Sequence, residues 1–496
     1  MTKVKIGLEI HGYIDTNEKL FCRCKSIHGS KFAKPNTNIC PICTGQPGSK
    51  PMLPNSSAIE KAIQIALLLN CKKIGGATFV GSKDMIKGSH ATFVGGISES
   101  RRSAIRGEST RETTGSLVWQ RKHYSWPDLP KGFQNTISGP YATPVGINGK
   151  FQEIKITECH LEEDPAAWNP ETGEIDYNRS GSPLIEIVTE PDFSSSEQVL
   201  EWLKQLITTL GYIKAIDKNA GIKADVNVSL PEKKGARVEI KNVNSLTNIK
   251  NAIEAEVARQ NKEGIAKSQE TRRYDDKKNT TTLMRLKENA EDYRFISDPD
   301  LPMIKIEKQR ITKLKSKLPE TPQQKLSKLI KQHKIPEKSA EILTKNIDII
   351  EFFEKIIEKV NPKLATRWVT EELLSVLNYN KKALDEIKIE TNHFIELLEM
   401  IEKKILTELK AKEILRSWKE KSSSPKNLAK QHSQISDKTE IEKLAKKVIK
   451  ENSKAVQDYK AGKKESLNFL VGQVMKLSNK RADYKTAKEI LENLLD

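Results

Sequence analysis

Several common routes to function are closed to this chain of 496 residues by what it does not contain. It has no G-x-x-x-x-G-K-[ST] phosphate loop, no dinucleotide G-x-G-x-x-G fingerprint and no kinase H-R-D or D-F-G set. It has no Gly/Ser-rich amidase nucleophile segment and no G-x-C-x-G elbow of a glutaminase. ATP, if used, must therefore meet a metal–carboxylate site, and ammonia, if needed, must come from a partner. No apolar run approaches a membrane span. Alternation begins by Val4, leaving no room for a signal or transit peptide, so a cytosolic location is expected. Cysteine is scarce: six residues cannot staple a chain of this size as a disulfide scaffold. Glycine is nearly missing from residues 301–496, which hold two of the 25.

That last absence divides the chain. Residues 1–300 carry the other glycines and many short alternating segments, whereas the remainder reads as consecutive helical patterns. An α+β domain followed by an all-helical region is expected, with a boundary around Asp298–Pro302 and a second break near Lys421–Pro425. Residues 301–496 hold 42 Lys+Arg against 29 Asp+Glu, while residues 1–300 hold 42 against 37. The basic C-terminal part suits a polyanion such as nucleic acid, or is simply a lysine-rich solvated surface. Helical segments such as Glu440–Ile449 and Glu465–Leu477 place apolar residues at three- and four-residue intervals with Lys between them, as amphipathic packing requires.

Four cysteines are grouped as Cys22-x-Cys24, fifteen residues, then Cys40-Pro-Ile-Cys43. Two short clips joined by a loop are what tetrahedral thiolate coordination needs, so a structural Zn²⁺ site is expected. Cys71 and Cys159 read as small buried residues. Ala-Thr-Phe-Val-Gly occurs at 77–81 and again at 91–95, followed by a Ser/Arg-rich loop to Ser116.

Strand phase gathers the chemistry. The first strand sets Val4, Ile6, Leu8 and Ile10 on one face and Lys5, Gly7, Glu9 and His11 on the other. Residues two apart on a face lie about 7 Å from each other, so Glu9 and His11 can share a metal or a substrate group. Around 221–230, Ile222, Ala224, Val226 and Val228 alternate with Lys223, Asp225, Asn227 and Ser229. After a turn at Pro231–Gly235, Arg237, Glu239 and Lys241 oppose Val238 and Ile240. A hairpin would collect Asp225, Asn227, Arg237, Glu239 and Lys241 on one surface, which is otherwise a solvated sheet face. His160-Leu-Glu162-Glu163-Asp164 ends another alternating stretch, and Glu186 and Glu190 are in phase on a very apolar one. Clustered carboxylates repel unless a cation sits among them. Oxygen ligands suit Mg²⁺ with substrate phosphates, and Arg179, Arg237 and Lys241 are available for phosphate.

Specific stretches carry a resemblance: IGLEIH (6–11), the cysteine clip, YSWPDLPKGFQ (124–134), HLEED (160–164) and NRSGSPLIEIVTEPD (178–192). ADVNVSL (224–230), RVEIKNVNS (237–245), QETRRYDD (269–276), EDYRF (291–295) and AVQDYKAGKKESLNFLVGQVMK (455–476) extend it along nearly the whole chain. In these the sequence is similar to the B subunits of the aspartyl/glutamyl-tRNA(Asn/Gln) amidotransferases. The resemblance implies a cradle-type catalytic domain over 1–304, a helical domain over 305–421 and a tRNA-contacting helical tail over 422–496. It implies ATP-dependent phosphorylation of the side-chain carboxylate of Glu-tRNA(Gln) or Asp-tRNA(Asn). Amidation would follow, with ammonia from a partner amidase (the A subunit) in a complex that includes a small C subunit. Mg²⁺ is expected at His11, Glu162 and Glu186, with Glu9 and Asp164 close by. Arg179, Arg237 and Lys241 would neutralise phosphate, and Asp225, Asn227 and Glu239 would complete the site. A zinc-containing tRNA-binding scaffold with a decayed kinase site is the competing expectation. Relative to the family, the stretch 72–120 looks expanded, and the aromatic-rich N-Y-F-Y-P and Y-F-P-E-P-D segments have become His123–Pro127 and Phe295–Asp300. Only about fifteen residues separate Pro302 from Leu318, too few for the extra domain of the related archaeal E subunits.

Overall fold

The alternation from Val4 becomes strand β1 (Lys5–Tyr13), at the centre of a large sheet in this computed structural model. The structure describes residues 4–27, 34–78, 115–124, 126–217, 220–286, 294–427 and 438–495. Most of the 72–120 stretch and both copies of its repeated pentapeptide lie wholly or partly outside them. Helix α1 (Ser56–Leu68) follows, capped by Asn55, whose side chain accepts from the Ser57 and Ala58 amides. Short strands β2 (Lys73–Ile74), β3 (Ala77–Thr78), β4 (Gly115–Leu117), β5 (Gln120–His123) and β6 (Gln134–Thr136) lead to β7 (Gly146–Phe151) and the long β8 (Ile154–Glu163). A small hairpin, β9 (Ala167–Trp168) and β10 (Ile175–Asp176), precedes β11 (Pro183–Thr189) and α2 (Ser196–Tyr212). Then come β12 (Ile222–Ser229), β13 (Val238–Asn244), α3 (Leu246–Glu263), β14 (Glu270–Asp275), β15 (Thr280–Leu286), β16 (Arg294–Ser297) and β17 (Ile304–Ile306).

The main sheet runs β15-β14-β13-β12-β1-β11-β8-β6-β5-β16, with β7 joined to β8. β1 is antiparallel to both neighbours, so the strand that carries Glu9 and His11 is hydrogen-bonded along both edges. Ile6, Leu8, Ile10, Ala224, Val226, Val228, Ile185, Ile187 and Ile240 form one continuous buried face. Helices α2 and α3 pack together, and α3 lies on β12 and β13. The opposite face is therefore the polar one.

β8 changes phase midway. Its early residues Ile154 and Ile156 are buried, and so are Cys159 and Leu161. The switch from even to odd follows a bulge: Val188 of β11 pairs with Glu158 but the next residue, Thr189, pairs with Ile156, leaving Thr157 as the extra residue. Beyond the bulge Glu158, His160 and Glu162 share the polar face.

A buried ionic network ties α3 to the sheet edge. Glu256, fully buried, accepts from Arg259 at 2.7 Å, Gln260 at 2.8 Å and Thr281 at 2.5 Å, with Arg272 at 3.6 Å. The first compact unit extends to Pro319, because β17 pairs with β4 and the helix Lys308–Ser316 adds Ile311 and Leu314 to the same core.

The second unit, Glu320–Asp496, is helical in its described residues. Thr321 and Gln324 make a reciprocal capping box on the helix Pro322–His333. Ile347–Ile357 buries Ile347, Ile350, Phe353 and Ile356 on one stripe. Lys438–Glu451, Glu465–Leu477 and Tyr484–Leu495 share a core of Ile441, Val448, Leu470, Val474 and Leu491, so the amphipathic reading of this segment holds. The expected α+β part followed by an all-helical part is what the structure shows. Among the described residues no helix is long and apolar enough to cross a membrane.

Candidate functional site

Strand register assembles the polar face. His11 lies opposite Glu186 on β11 and Lys223 on β12, and Glu9 lies opposite Asp225. Glu186 in turn faces His160 on β8. Directly opposed residues point to the same side of a sheet, so side chains from four strands meet in one hollow.

At its middle, Glu186 Oε2 lies 3.4 Å from His11 Nε2 and 3.2 Å from His160 Nε2. Glu162 Oε2 is 3.9 Å from His160 Nε2, whose other nitrogen is 3.0 Å from Glu158. Burial is the largest single influence and would depress both imidazoles. The Glu186 charge and hydrogen bond, together with Glu162 and Asp225 at His11 and with Glu158 at His160, outweigh it, raising His11 to about 9 and His160 to about 10. Burial would raise Glu186, yet the two imidazoliums hold it well below the carboxylate range. Glu162, buried and facing Glu186, is raised. One ligand atom each from His11, Glu162 and Glu186 lie within 4.8 Å of one another, a donor set that can close on a divalent cation.

Both imidazoles sit above their ordinary 6.5, so their pairing with Glu186 stabilises the metal-free fold fully below pH 6.5. That contribution is lost as pH rises through about 9 and about 10. In magnesium-free buffer the urea midpoint should fall between about pH 7 and about pH 10; a flat profile would show that the pairing adds nothing.

A second acidic trio, Glu9, Asp225 and Glu239, also brings ligand atoms within 4.8 Å. Here a cation is already supplied: Lys241 Nζ is 2.5 Å from Asp225 and 2.6 Å from Glu239. Burial would lower this lysine, but the two carboxylates hold it well above its usual range. Asn227 donates to Glu9 at 3.1 Å, and Glu9 is raised by burial and by Glu186. At the other end of the hollow Asp164 accepts from the Tyr13 hydroxyl at 2.6 Å and pairs with Arg179 at 3.0 Å. Arg237 is exposed and precedes β13; the structure does not bring it into either network.

The cysteine clip closes in space. One sulfur from each of Cys22, Cys24, Cys40 and Cys43 lies within 4.8 Å of the others. Four thiolates around zinc at about 2.3 Å stand about 3.8 Å apart, and the Cys40–Cys43 sulfur separation is 3.8 Å. The Cys40 amide donates to Cys43 Sγ at 3.2 Å, as an amide does to a metal-bound thiolate. A hydrogen bond from Cys22 lowers Cys43 and raises Cys22 itself. These residues fit a structural zinc, with every position taken by protein.

Known proteins share this sequence framework. A family model described as the GatB/GatE catalytic domain matches residues 4–89 and 109–312, and a GatB domain model matches 351–495. The B subunit of the aspartyl/glutamyl-tRNA(Asn/Gln) amidotransferase of Methanocaldococcus jannaschii is 40% identical over 100% of this chain and 98% of its own length. The chain belongs to the amidotransferase B-subunit family. Family members of the same name from Methanothermobacter thermautotrophicus and Methanopyrus kandleri are 39% and 36% identical, each over at least 99% of both chains. The match to the catalytic domain is interrupted at residues 90–108 and includes the rest of the 72–120 stretch.

Every polar residue of the hollow falls within the matched B-subunit catalytic domain. Strand phase brings out Glu9, His11, Asp225, Glu239 and Lys241 but passes over three groups. His160 is central, and its two-residue spacing from Glu158 and Glu162 is the signal that could have found it. Tyr13 shares the face of His11, and its burial beside Asp164 pushes its hydroxyl far above the usual range. Lys223 is visible in the alternation, but only the register shows it opposite His11.

Proposed function

We propose that this protein uses ATP to activate the side-chain carboxylate of Glu esterified to tRNA(Gln), or of Asp esterified to tRNA(Asn), and that amidation follows in the same hollow. The observation that carries this reading is the convergence of His11, Glu162 and Glu186 donor atoms within 4.8 Å on one sheet face. The relatives' name adds the substrate class, since theirs is an aspartyl/glutamyl-tRNA amidotransferase.

A free carboxylate is a poor acyl donor. In the first step one of its oxygens attacks the terminal phosphorus of ATP and ADP leaves, giving an acyl phosphate. In the second, ammonia attacks the acyl carbon and inorganic phosphate leaves, giving the amide. Magnesium held by His11, Glu162 and Glu186 would supply charge neutralisation for the phosphates. His160 orients Glu186 from behind, and Glu158 orients His160. Lys241 sets a fixed positive charge among Glu9, Asp225 and Glu239, and Arg179 does so at the Asp164 end. Asn227 holds the Glu9 carboxylate in place. No described residue of this hollow is suited to release ammonia from glutamine, so the partner amidase, the A subunit, is assigned that role in a complex that includes the small C subunit. The basic residues of the helical unit are assigned to tRNA phosphates, and the four cysteines to one structural zinc.

The test is glutamine- and ATP-dependent formation of amidated aminoacyl-tRNA by this chain assembled with the A and C subunits, with metal analysis of the same preparation. Amide formation and one zinc per chain support the reading. Tight tRNA binding with no ATP consumption would instead identify a tRNA-binding scaffold.

A further inference from the structure

Beyond His11 and Tyr13 the polar face ends in a rim whose two aromatic side chains no step above uses. Trp126 and Trp168 meet there edge to face, with centroids 5.7 Å apart and planes at 76°. Trp126 is 51% exposed and Trp168 is half-buried, whereas the other four tryptophans of the chain are all 3% exposed or less. The fold thus encloses its other indoles and leaves these two in water.

They are fastened to the hollow through a few bonds. The Ala166 amide donates to the Asp128 carbonyl at 2.8 Å, joining the two segments that carry the tryptophans. Arg179 donates to the Ala166 carbonyl at 2.8 Å and to the Pro165 carbonyl at 3.0 Å. It also pairs with Asp164, which holds the Tyr13 hydroxyl. Tyr13 and His11 are two residues apart on β1, about 7 Å along one face. Lys223, opposite His11, forms no ion pair among the described residues, and the strongest charge acting on it is that of Arg179. Arg179 answers Asp164 and, more weakly, Asp128, while Lys223 is paired with neither. At the other end of the polar face, a cavity of about 450 Å³ lies beside Lys241, lined by Asn244, Arg273 and Tyr274 among others. The two substrates can approach the central cluster from opposite sides.

We propose that Trp126 and Trp168 stack the unpaired 3′-terminal base of the aminoacylated RNA, with Lys223 and Arg179 beside its phosphodiester. The inference rests on the functional reading above and deepens it. Aromatic side chains grip single-stranded ends because every base offers a π-face, and a cation beside them meets the backbone. The amino acid esterified to that nucleotide's ribose then extends from the rim toward His11 and Glu186.

The experiment uses the assembled enzyme and uncharged tRNA, intact or lacking its terminal adenosine, in filter-binding titrations. The wild type is expected to bind the shortened tRNA about tenfold more weakly, the loss of one stacked base. Trp126→Ala and Trp168→Ala are each expected to bind intact tRNA about tenfold more weakly and to lose the distinction, while Phe at either position keeps most of it. Trp126 is mostly exposed, so misfolding does not explain a loss in its variant. Alanine variants that still distinguish the two tRNAs as the wild type does would overturn the proposal. So would a wild type that binds and amidates its substrate but ignores the terminal base, which leaves the functional reading standing. Weakened assembly with the amidase at unchanged discrimination would assign the two indoles to a protein contact instead. A wild type that binds no tRNA at all would remove both this inference and the reading beneath it.

Discussion

Glu186→Gln should lower ATP-dependent amidation by about 10³-fold, with ammonium chloride as nitrogen source so that the glutaminase is bypassed. The substitution keeps the shape of the side chain and removes its charge. In the folded protein that charge faces two imidazoles at 3.4 and 3.2 Å and is the largest of the charges that raise both of them. The change therefore weakens one donor of the proposed cation site and removes the charge shared by His11 and His160. Affinity for tRNA, assigned to other surfaces, should stay within about threefold, which separates loss of chemistry from loss of fold. His160→Ala should follow the same direction although His160 belongs to no expected ligand set, because it orients Glu186. Amidation by Glu186→Gln at near wild-type rate would remove this hollow from the reaction.

The largest effect on stability is expected far from the chemistry. Glu256→Ala should cost about 3–5 kcal/mol in urea or thermal unfolding, because it strips the common partner from buried cations. Arg259 contacts Glu256 through both Nε at 3.0 Å and Nη2 at 2.7 Å, and Gln260 and Thr281 complete its shell. Without the carboxylate, Arg259 retains only more distant partners such as Glu270 at 3.8 Å and Glu263 at 3.7 Å. Arg272, also buried, keeps Glu270 at 2.8 Å. A loss below about 1 kcal/mol would mean that these charges are reached by water and the network is ornamental.

Local alternation carries a long way in this protein. It places Glu9 and His11 on the polar side of β1, Asp225 and Asn227 on that of β12, and Glu239 and Lys241 on that of β13. The scarcity of glycine beyond residue 300 marks the helical part correctly for the same reason: helices disfavour it. Three things escape because they depend on how strands pair in detail and on where they begin. Lys241 reads as a cation free for phosphate, yet pairing of β12 with β13 sets it between Asp225 and Glu239. Arg237 is in phase with Glu239, but the strand begins one residue later and the side chain stays in solvent. His160 is named within its acidic motif, while its place at the centre depends on the β8–β11 pairing, 26 residues apart at His160 and Glu186.

The surplus residue Thr157 makes the front half of β8 and its back half obey opposite parities. Deleting it would not shorten the strand so much as turn one half over against the other: with Ile154 and Ile156 kept in the core, the remainder would present Cys159 and Leu161 on the polar side and drive Glu158, His160 and Glu162 into hydrocarbon. A single codon thus separates an interior made of charge from one made of oil.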